Sequence, residues 1–277
     1  MKKGFSQTLG SPALLALPLA FTLLVSGCDD SANPGQTTMA NSSFNSQPKQ
    51  PPAAAYGARG TDNSWPKVAQ GSPAALDSEQ MLQANYLLLI DGSGSMGSTE
   101  CSDRGTRLDA AKRAALSFMT SVPTDANVGI YAFDQAGMGP RLGLGHYNQQ
   151  QLAAALNKLV AGAGTPLKTS IRESAGMLTE QAIRQLGYGE YHLVIVTDGL
   201  PSDGEAPDNV ITKLNHTTPI NIHTIGFCIG KDHPLNQPGI TAYYQANDEK
   251  SLTAGLEAVV AEAPSFDVTS FSDGGSQ

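Results

Sequence analysis

Residues Tyr86-Leu87-Leu88-Leu89-Ile90 form an unbroken apolar run that stops at Asp91-Gly92. A short run without alternation is the pattern of a parallel strand covered on both faces. His192-Leu193-Val194-Ile195-Val196 repeats it and stops at Thr197-Asp198-Gly199. Between these two runs, residues 107–122 bring Leu108, Ala111, Ala115, Leu116 and Met119 to helical spacing, with Thr106 and Asp109 spaced as a capping box. The pattern predicts a strand over 128–133, a weaker glycine-bearing one over 141–147, and helices over 149–160 and 166–185. Beyond the second apolar run it predicts a helix over 208–214, strands over 221–227 and 242–246, and a helix over 251–261.

Six strands alternating with helices predict an α/β fold: a doubly wound, mostly parallel six-stranded sheet with helices on both faces. Ligands of such sheets sit beyond the carboxyl ends of the strands. The loops after Ile90 and Val196 are therefore where chemistry is expected.

The ends of the chain read differently. Lys2 and Lys3 precede an apolar stretch over 13–25, interrupted by Pro18 and closed by Val25-Ser26-Gly27-Cys28. It falls short of the roughly 20 residues of a spanning helix and suits a signal-peptide core. The Val-Ser-Gly-Cys end resembles a bacterial lipobox, which implies acylation at Cys28 and anchoring to a membrane by lipid; an ordinary signal peptide is the alternative. In lipoproteins of Gram-negative bacteria, an Asp in the place of Asp29 is similar to a signal for inner-membrane retention, which implies the periplasmic face of that membrane.

Residues 28–84 are rich in Asn, Ser, Gln, Pro and Ala, with almost no branched aliphatic side chains. Such a segment buries too little apolar surface to offset its ordering entropy, and is expected to be a flexible tether with a reach of roughly 40 Å. Trp65 within it reads as incidental or as a docking spot. The expected organisation is a signal peptide over 1–27, a linker over 28–84, a domain over 85–263 and a frayed tail over 264–277.

Asp91-Gly92-Ser93-Gly94-Ser95 leaves the first apolar run, and its glycines allow the carboxylate and both hydroxyls to converge. Gly164-Thr165-Pro166 opens a helix and Thr197-Asp198-Gly199 closes a strand at the same expected sheet edge. Two carboxylates and three hydroxyls are hard oxygen ligands, suited to octahedral Mg²⁺, Mn²⁺ or Ca²⁺ and poorly suited to zinc or copper. Here the chain resembles the von Willebrand factor type A domain with a metal-ion-dependent adhesion site, over about Asn85 to Ala263. The resemblance implies that Ser93, Ser95 and Thr165 bind the cation directly, and Asp91 and Asp198 directly or through water. It also implies one remaining position for an Asp or Glu of a protein partner. A divalent ion held mostly by neutral hydroxyls keeps residual positive charge, which favours an incoming carboxylate.

The chain departs from the common pattern in a long insert, residues 97–104, whose Glu100 and Asp103 either approach the cation or are solvated loop charges. Cys101 lies in that insert and Cys228 ends a strand at the same edge, so in an oxidising compartment they are expected to pair; two free thiols are the alternative.

Composition removes other classes. Of 277 residues, 17 are Lys or Arg and 25 Asp or Glu, for a net charge of −8, with no basic run past Lys3. Nucleic acid is therefore not expected as a partner. Three scattered cysteines supply neither a disulfide scaffold nor a cysteine-type zinc site. Ser93 stands where a nucleophile elbow around Ser95 needs glycine, and where an Asp-nucleophile phosphatase built on Asp91 needs a second carboxylate. There is no P-loop, and no His adjoins either serine in sequence. The expected activity is binding rather than catalysis: capture of an acidic protein ligand through one divalent cation, Mg²⁺ first among them. A metal-dependent hydrolase of phosphate or ester bonds and a metal-independent envelope scaffold are the alternatives.

Overall fold

The computed structural model describes residues 64–262. The expected signal peptide, Cys28 and the tail over 264–277 lie outside the described residues.

A four-residue helix α1 (Ser78–Met81) precedes β1 (Ala84–Asp91), α2 (Arg107–Ser121), β2 (Asn127–Asp134) and β3 (Gly137–Gly145). Then come α3 (Gln149–Leu156), α4 (Leu167–Arg184), β4 (Glu190–Thr197), α5 (Asp208–Thr217), β5 (Asn221–Phe227), β6 (Ala242–Ala246) and α6 (Glu249–Ala261). The strands form one sheet in the order β3-β2-β1-β4-β5-β6. All neighbours are parallel except β2 and β3, which run antiparallel with a register irregularity. This is the mostly parallel, doubly wound α/β sheet that the apolar pattern predicts.

The unbroken run of β1 is explained by two cores. Tyr86, Leu88 and Ile90 join Leu108, Ala111, Ala115, Leu252 and Leu256 on the face covered by α2 and α6. Leu87 and Leu89 join Leu167, Ile171 and Leu178 on the face covered by α4. Successive side chains of a strand point to opposite faces, so a strand covered on both has no polar alternation. The capping box at Thr106 and Asp109 is present, and fixes where α2 begins.

The linker expectation fails over its last part. Trp65 packs edge-on against Tyr191, ring centroids 5.0 Å apart, and joins the α4-side core. Leu76 N donates to the Arg184 carbonyl at 2.9 Å. The buried Gln185 amide donates to the carbonyls of Gln80 and Gln83 at 2.9 and 3.0 Å, and its oxygen accepts from Asn85 at 2.8 Å. A single aromatic anchor and a buried amide network hold residues 64–83 against the domain. Neither leaves an apolar periodicity to read.

Candidate metal centre

β1 and β4 are adjacent and parallel, with Ile90 opposite Val196, so the loops that leave them emerge side by side at one end of the sheet. Asp91, the last residue of β1, is fully buried. Ser93 N donates to Asp91 Oδ1 at 2.7 Å and Thr197 Oγ1 donates to Oδ2 at 2.6 Å. The Ser93 and Ser95 hydroxyls share a hydrogen bond at 3.0 Å, and Ser95 Oγ donates to Asp198 Oδ1 at 2.6 Å. One chain of hydrogen bonds therefore joins Ser93, Ser95 and Asp198 from two loops, with Asp91 directly behind.

The first loop needs its glycine. A Cβ on Gly92 would stand 2.7 Å from Asp134 Cβ and 2.9 Å from the Phe133 carbonyl oxygen, so only glycine passes there. The loop bearing Thr165 is zipped to it: Gly94 N donates to the Ala163 carbonyl at 3.2 Å, and Gly162 N to the Gly92 carbonyl at 2.8 Å. Thr165 is buried, and its place is set through the backbone: its N–H donates to Ser202 Oγ at 2.9 Å and its carbonyl accepts from Ser202 N at 3.0 Å. A Cβ on Gly164 would meet Ser202 Oγ at 2.9 Å.

Two outer supports complete the frame. Glu205 accepts from Thr169 N and Oγ1 at 2.8 and 2.9 Å, and so caps α4, whose own N-cap Pro166 has no side chain for the task. His233 Nε2 donates to the Gly199 carbonyl at 2.9 Å, which ties the loop between β5 and β6 to the loop after β4.

Of the residues singled out from sequence, Ser93, Ser95 and Asp198 are linked by side-chain hydrogen bonds, Asp91 accepts from the Ser93 backbone N–H, and Thr165 lies in the loop zipped beside them. Among the described residues no group of three or more His, Cys, Asp or Glu gathers as a metal holder. The donors here are oxygens, hydroxyls among them, as hard cations prefer. Burial pushes the Asp91 carboxyl up to about 6, and its hydrogen-bond partners are neutral donors. A buried carboxylate short of countercharge fits a cation in front of it.

Cys101 and Cys228 form a disulfide, Cα to Cα 5.9 Å across 127 residues, which pins the insert to the end of β5. Glu100 turns to Arg107 at 2.9 Å, and Arg107 donates to Asp198 Oδ2 at 2.9 Å, so Glu100 stands one residue removed from the candidate ligands. Arg113 and Glu249 pair through two bonds of 2.6 and 2.7 Å, and Asp103 lies on that side of the insert. Sequence reasoning missed Arg107 and the Thr197 hydroxyl. A cation in the first turn of a helix, where the dipole disfavours it, was the available signal for Arg107.

Residues 86–200 match the von Willebrand factor type A domain. The chain is 26% identical over 210 residues to uncharacterized protein YwmD of Bacillus subtilis, covering 69% of this chain and 90% of that protein. Its fold is similar to that of the pilus adhesin SpaC of Lactobacillus rhamnosus GG, with a TM-score of 0.52 at 18% identity, covering 69% of this chain and 31% of the adhesin. It is similar also to a von Willebrand factor type A protein of Catenulispora acidiphila, with a TM-score of 0.51 at 17% identity over 65% of this chain and 42% of that one. Proximal thread matrix protein 1 of the mussel byssus, solved with a zinc-occupied MIDAS motif, has a TM-score of 0.54 at 18% identity, over 66% of this chain and 48% of that one. The chain spans less than half the length of these three solved structures, and the likeness to them is one of fold. The sheet order, the matched segment and the two strand-end loops agree: over residues 86–200 the chain matches the von Willebrand factor type A domain, on a mostly parallel six-stranded sheet.

Proposed function

We propose that this domain binds one divalent cation through Asp91, Ser93, Ser95, Thr165 and Asp198 and captures a protein partner through an acidic side chain of that partner. The observation that carries the reading is the hydrogen-bonded chain from Ser93 through Ser95 to Asp198, with buried Asp91 behind it. When bound, the cation supplies the positive charge that attracts the partner's carboxylate. Asp91 and Asp198 bring negative charge to its near side, while the hydroxyls contribute none. Thr197 and the Ser93 amide orient Asp91, and the zipped loops keep Thr165 in place.

Ser95 is exposed beside the buried Asp91, Ser93, Thr165 and Asp198, which leaves one edge of the group open to a ligand. Two grooves, one lined by Pro73, Leu144, Met177 and Arg184 and the other by Val122, Val128, His146 and Tyr147, lie toward the opposite end of the parallel strands. Leu200, 65% exposed and two residues past Asp198, offers an apolar contact beside the cation. A zinc-occupied site in the mussel protein of similar fold supports a metal here and adds Zn²⁺ to the ions to be tried. The tether belongs to the same reading: residues 1–27 as a signal peptide, Cys28 as the lipid anchor, and the periplasmic face of the inner membrane as the location. Among the described residues no helix is long and apolar enough to cross a membrane.

Calorimetric titration of the chelator-stripped chain with Mg²⁺, Mn²⁺, Ca²⁺ and Zn²⁺, beside the double variant Asp91→Asn, Ser95→Ala, tests this. One saturable site lost in the variant is expected, and partner capture should vanish with it. Capture that survives in the variant supports the metal-independent scaffold, and hydrolysis of a phosphate or ester that the variant loses supports the hydrolase. Persistence of a membrane-bound mature Cys28→Ser form would argue against the lipid anchor.

A further inference from the structure

Arg107 is the first residue of α2, where the positive end of the helix dipole disfavours a cation. Its guanidinium is fixed toward the candidate metal centre. Nη1 donates to Asp198 Oδ2 at 2.9 Å, Nη2 donates to Glu100 Oε2 at 2.9 Å and to Cys228 Sγ at 3.2 Å, and Nε donates to the Glu100 carbonyl at 3.3 Å. The Asp198 side chain is fully buried and that of Arg107 is 10% exposed, whereas Glu100 at the rim is 78% exposed. The Cys101–Cys228 disulfide and the bond from Arg107 N to the Ser98 carbonyl, 2.7 Å, hold the insert around this side chain.

Both oxygens of Asp198 are therefore engaged, Oδ1 by the Ser95 hydroxyl and Oδ2 by Arg107. The two donors differ in what they do when a cation arrives. A hydroxyl rotates its proton away and offers a lone pair, so Ser95 changes from donor to ligand. A guanidinium has no lone pair to offer and keeps its charge at every accessible pH, so it only repels a second cation.

We propose that Arg107 is a resident counter-cation: its guanidinium and the divalent ion compete for the Asp198 carboxylate, so that Arg107 lowers the affinity of the centre for metal. This rests on the cation-binding reading above. In the metal-free form Arg107 neutralises Asp198, and on binding it withdraws toward Glu100, which already holds its other terminal nitrogen at the solvent rim. The insert that departs from the usual pattern thus supplies the place to which the arginine retreats. The ion must outcompete a tethered charge, which makes occupancy depend on cation concentration and on a partner's carboxylate to complete the shell.

The test is calorimetric titration of the chelator-stripped full chain with Mn²⁺, comparing wild type, Arg107→Gln and Arg107→Lys. Arg107→Gln should bind Mn²⁺ about tenfold or more tighter, because a fixed like charge near the ion has been removed, while Arg107→Lys should stay within about threefold of wild type. Equal or weaker binding by Arg107→Gln overturns the competition and leaves the metal reading standing. Mn²⁺ binding by none of the three overturns both. A wild-type measurement guards against a misfolded variant. The Arg107 side-chain N–H resonances, protected while paired with Asp198, should shift and exchange faster as Mg²⁺ is added, and protection unchanged at saturation would contradict the proposal.

Discussion

Thr197 Oγ1 lies 2.6 Å from Asp91 Oδ2, joining the ends of two neighbouring parallel strands whose residues stand 106 positions apart. The bond has two effects: it satisfies one oxygen of a fully buried carboxylate, and it turns that carboxylate in one direction. Thr197→Val keeps the shape and removes the donor. The expected result is a stability loss of about 1.5–3 kcal/mol, the usual worth of a hydrogen bond to a charged group, and cation affinity reduced about tenfold. Urea unfolding and calorimetric titration of the same variant check both parts. Unchanged affinity would show that Asp91 needs no orienting partner.

Trp65 should matter to stability although it stands in a segment without apolar pattern. Its ring meets Tyr191 at 5.0 Å and is partly buried in the α4-side core. Trp65→Ala is expected to cost about 2 kcal/mol, below the 3–5 of a fully buried aromatic. A fragment beginning at Ala84 should lose more than this, since it also strips Gln185 of the Gln80 and Gln83 carbonyls. The urea midpoints of the two measure it, and equality with wild type would mean that the docked segment adds nothing.

The Cys101–Cys228 disulfide closes a loop of 127 residues. In the chain-entropy account this is worth about 5 kcal/mol at most, before any enthalpic offset. Replacing both cysteines by serine should lower the guanidinium midpoint, with reduced wild type behaving like the double variant. A difference below about 1 kcal/mol would show that the insert does not restrain the unfolded chain.

Acid sensitivity should come from the middle of the sheet. His192 Nδ1 and His223 Nε2 are 3.2 Å apart on β4 and β5, both buried. Burial, with His192 beside it, pushes the His223 pKa down to about 3, against about 6.5 in an unfolded chain. Between those values the unfolded state binds more protons, so stability is full above about pH 6.5 and declines as the pH falls toward 3. Stability measured between pH 7.5 and 4.5 should fall, and the slope should be shallower in His223→Gln. An identical slope in the variant would assign the acid loss to other groups.

Strand and helix positions were legible because burial on one or two faces leaves a period in the chain. The runs at 86–90 and 192–196 sit inside β1 and β4, and the strands predicted over 221–227 and 242–246 coincide with β5 and β6. The helix predicted over 149–160 ends instead at Leu156, since Asn157, Lys158 and Leu159 turn back onto the helix end before Val160 N reaches Asp134. Loop chemistry was legible where it is dense: Asp91, Ser93 and Ser95 stand two apart, so their nearness is local.

The sequence by itself determined the α/β layering, the two strand-end loops and the oxygen character of the donors, because each depends on periodicity or on neighbours in the chain. Tertiary structure alone decided what surrounds those donors. Arg107 pairs with Asp198 across 91 residues, Thr197 with Asp91 across 106, and Gln185 with Asn85 across 100. Such bonds leave no period, since a single polar side chain is satisfied by whatever the fold brings near it, and only the completed sheet specifies which partner arrives.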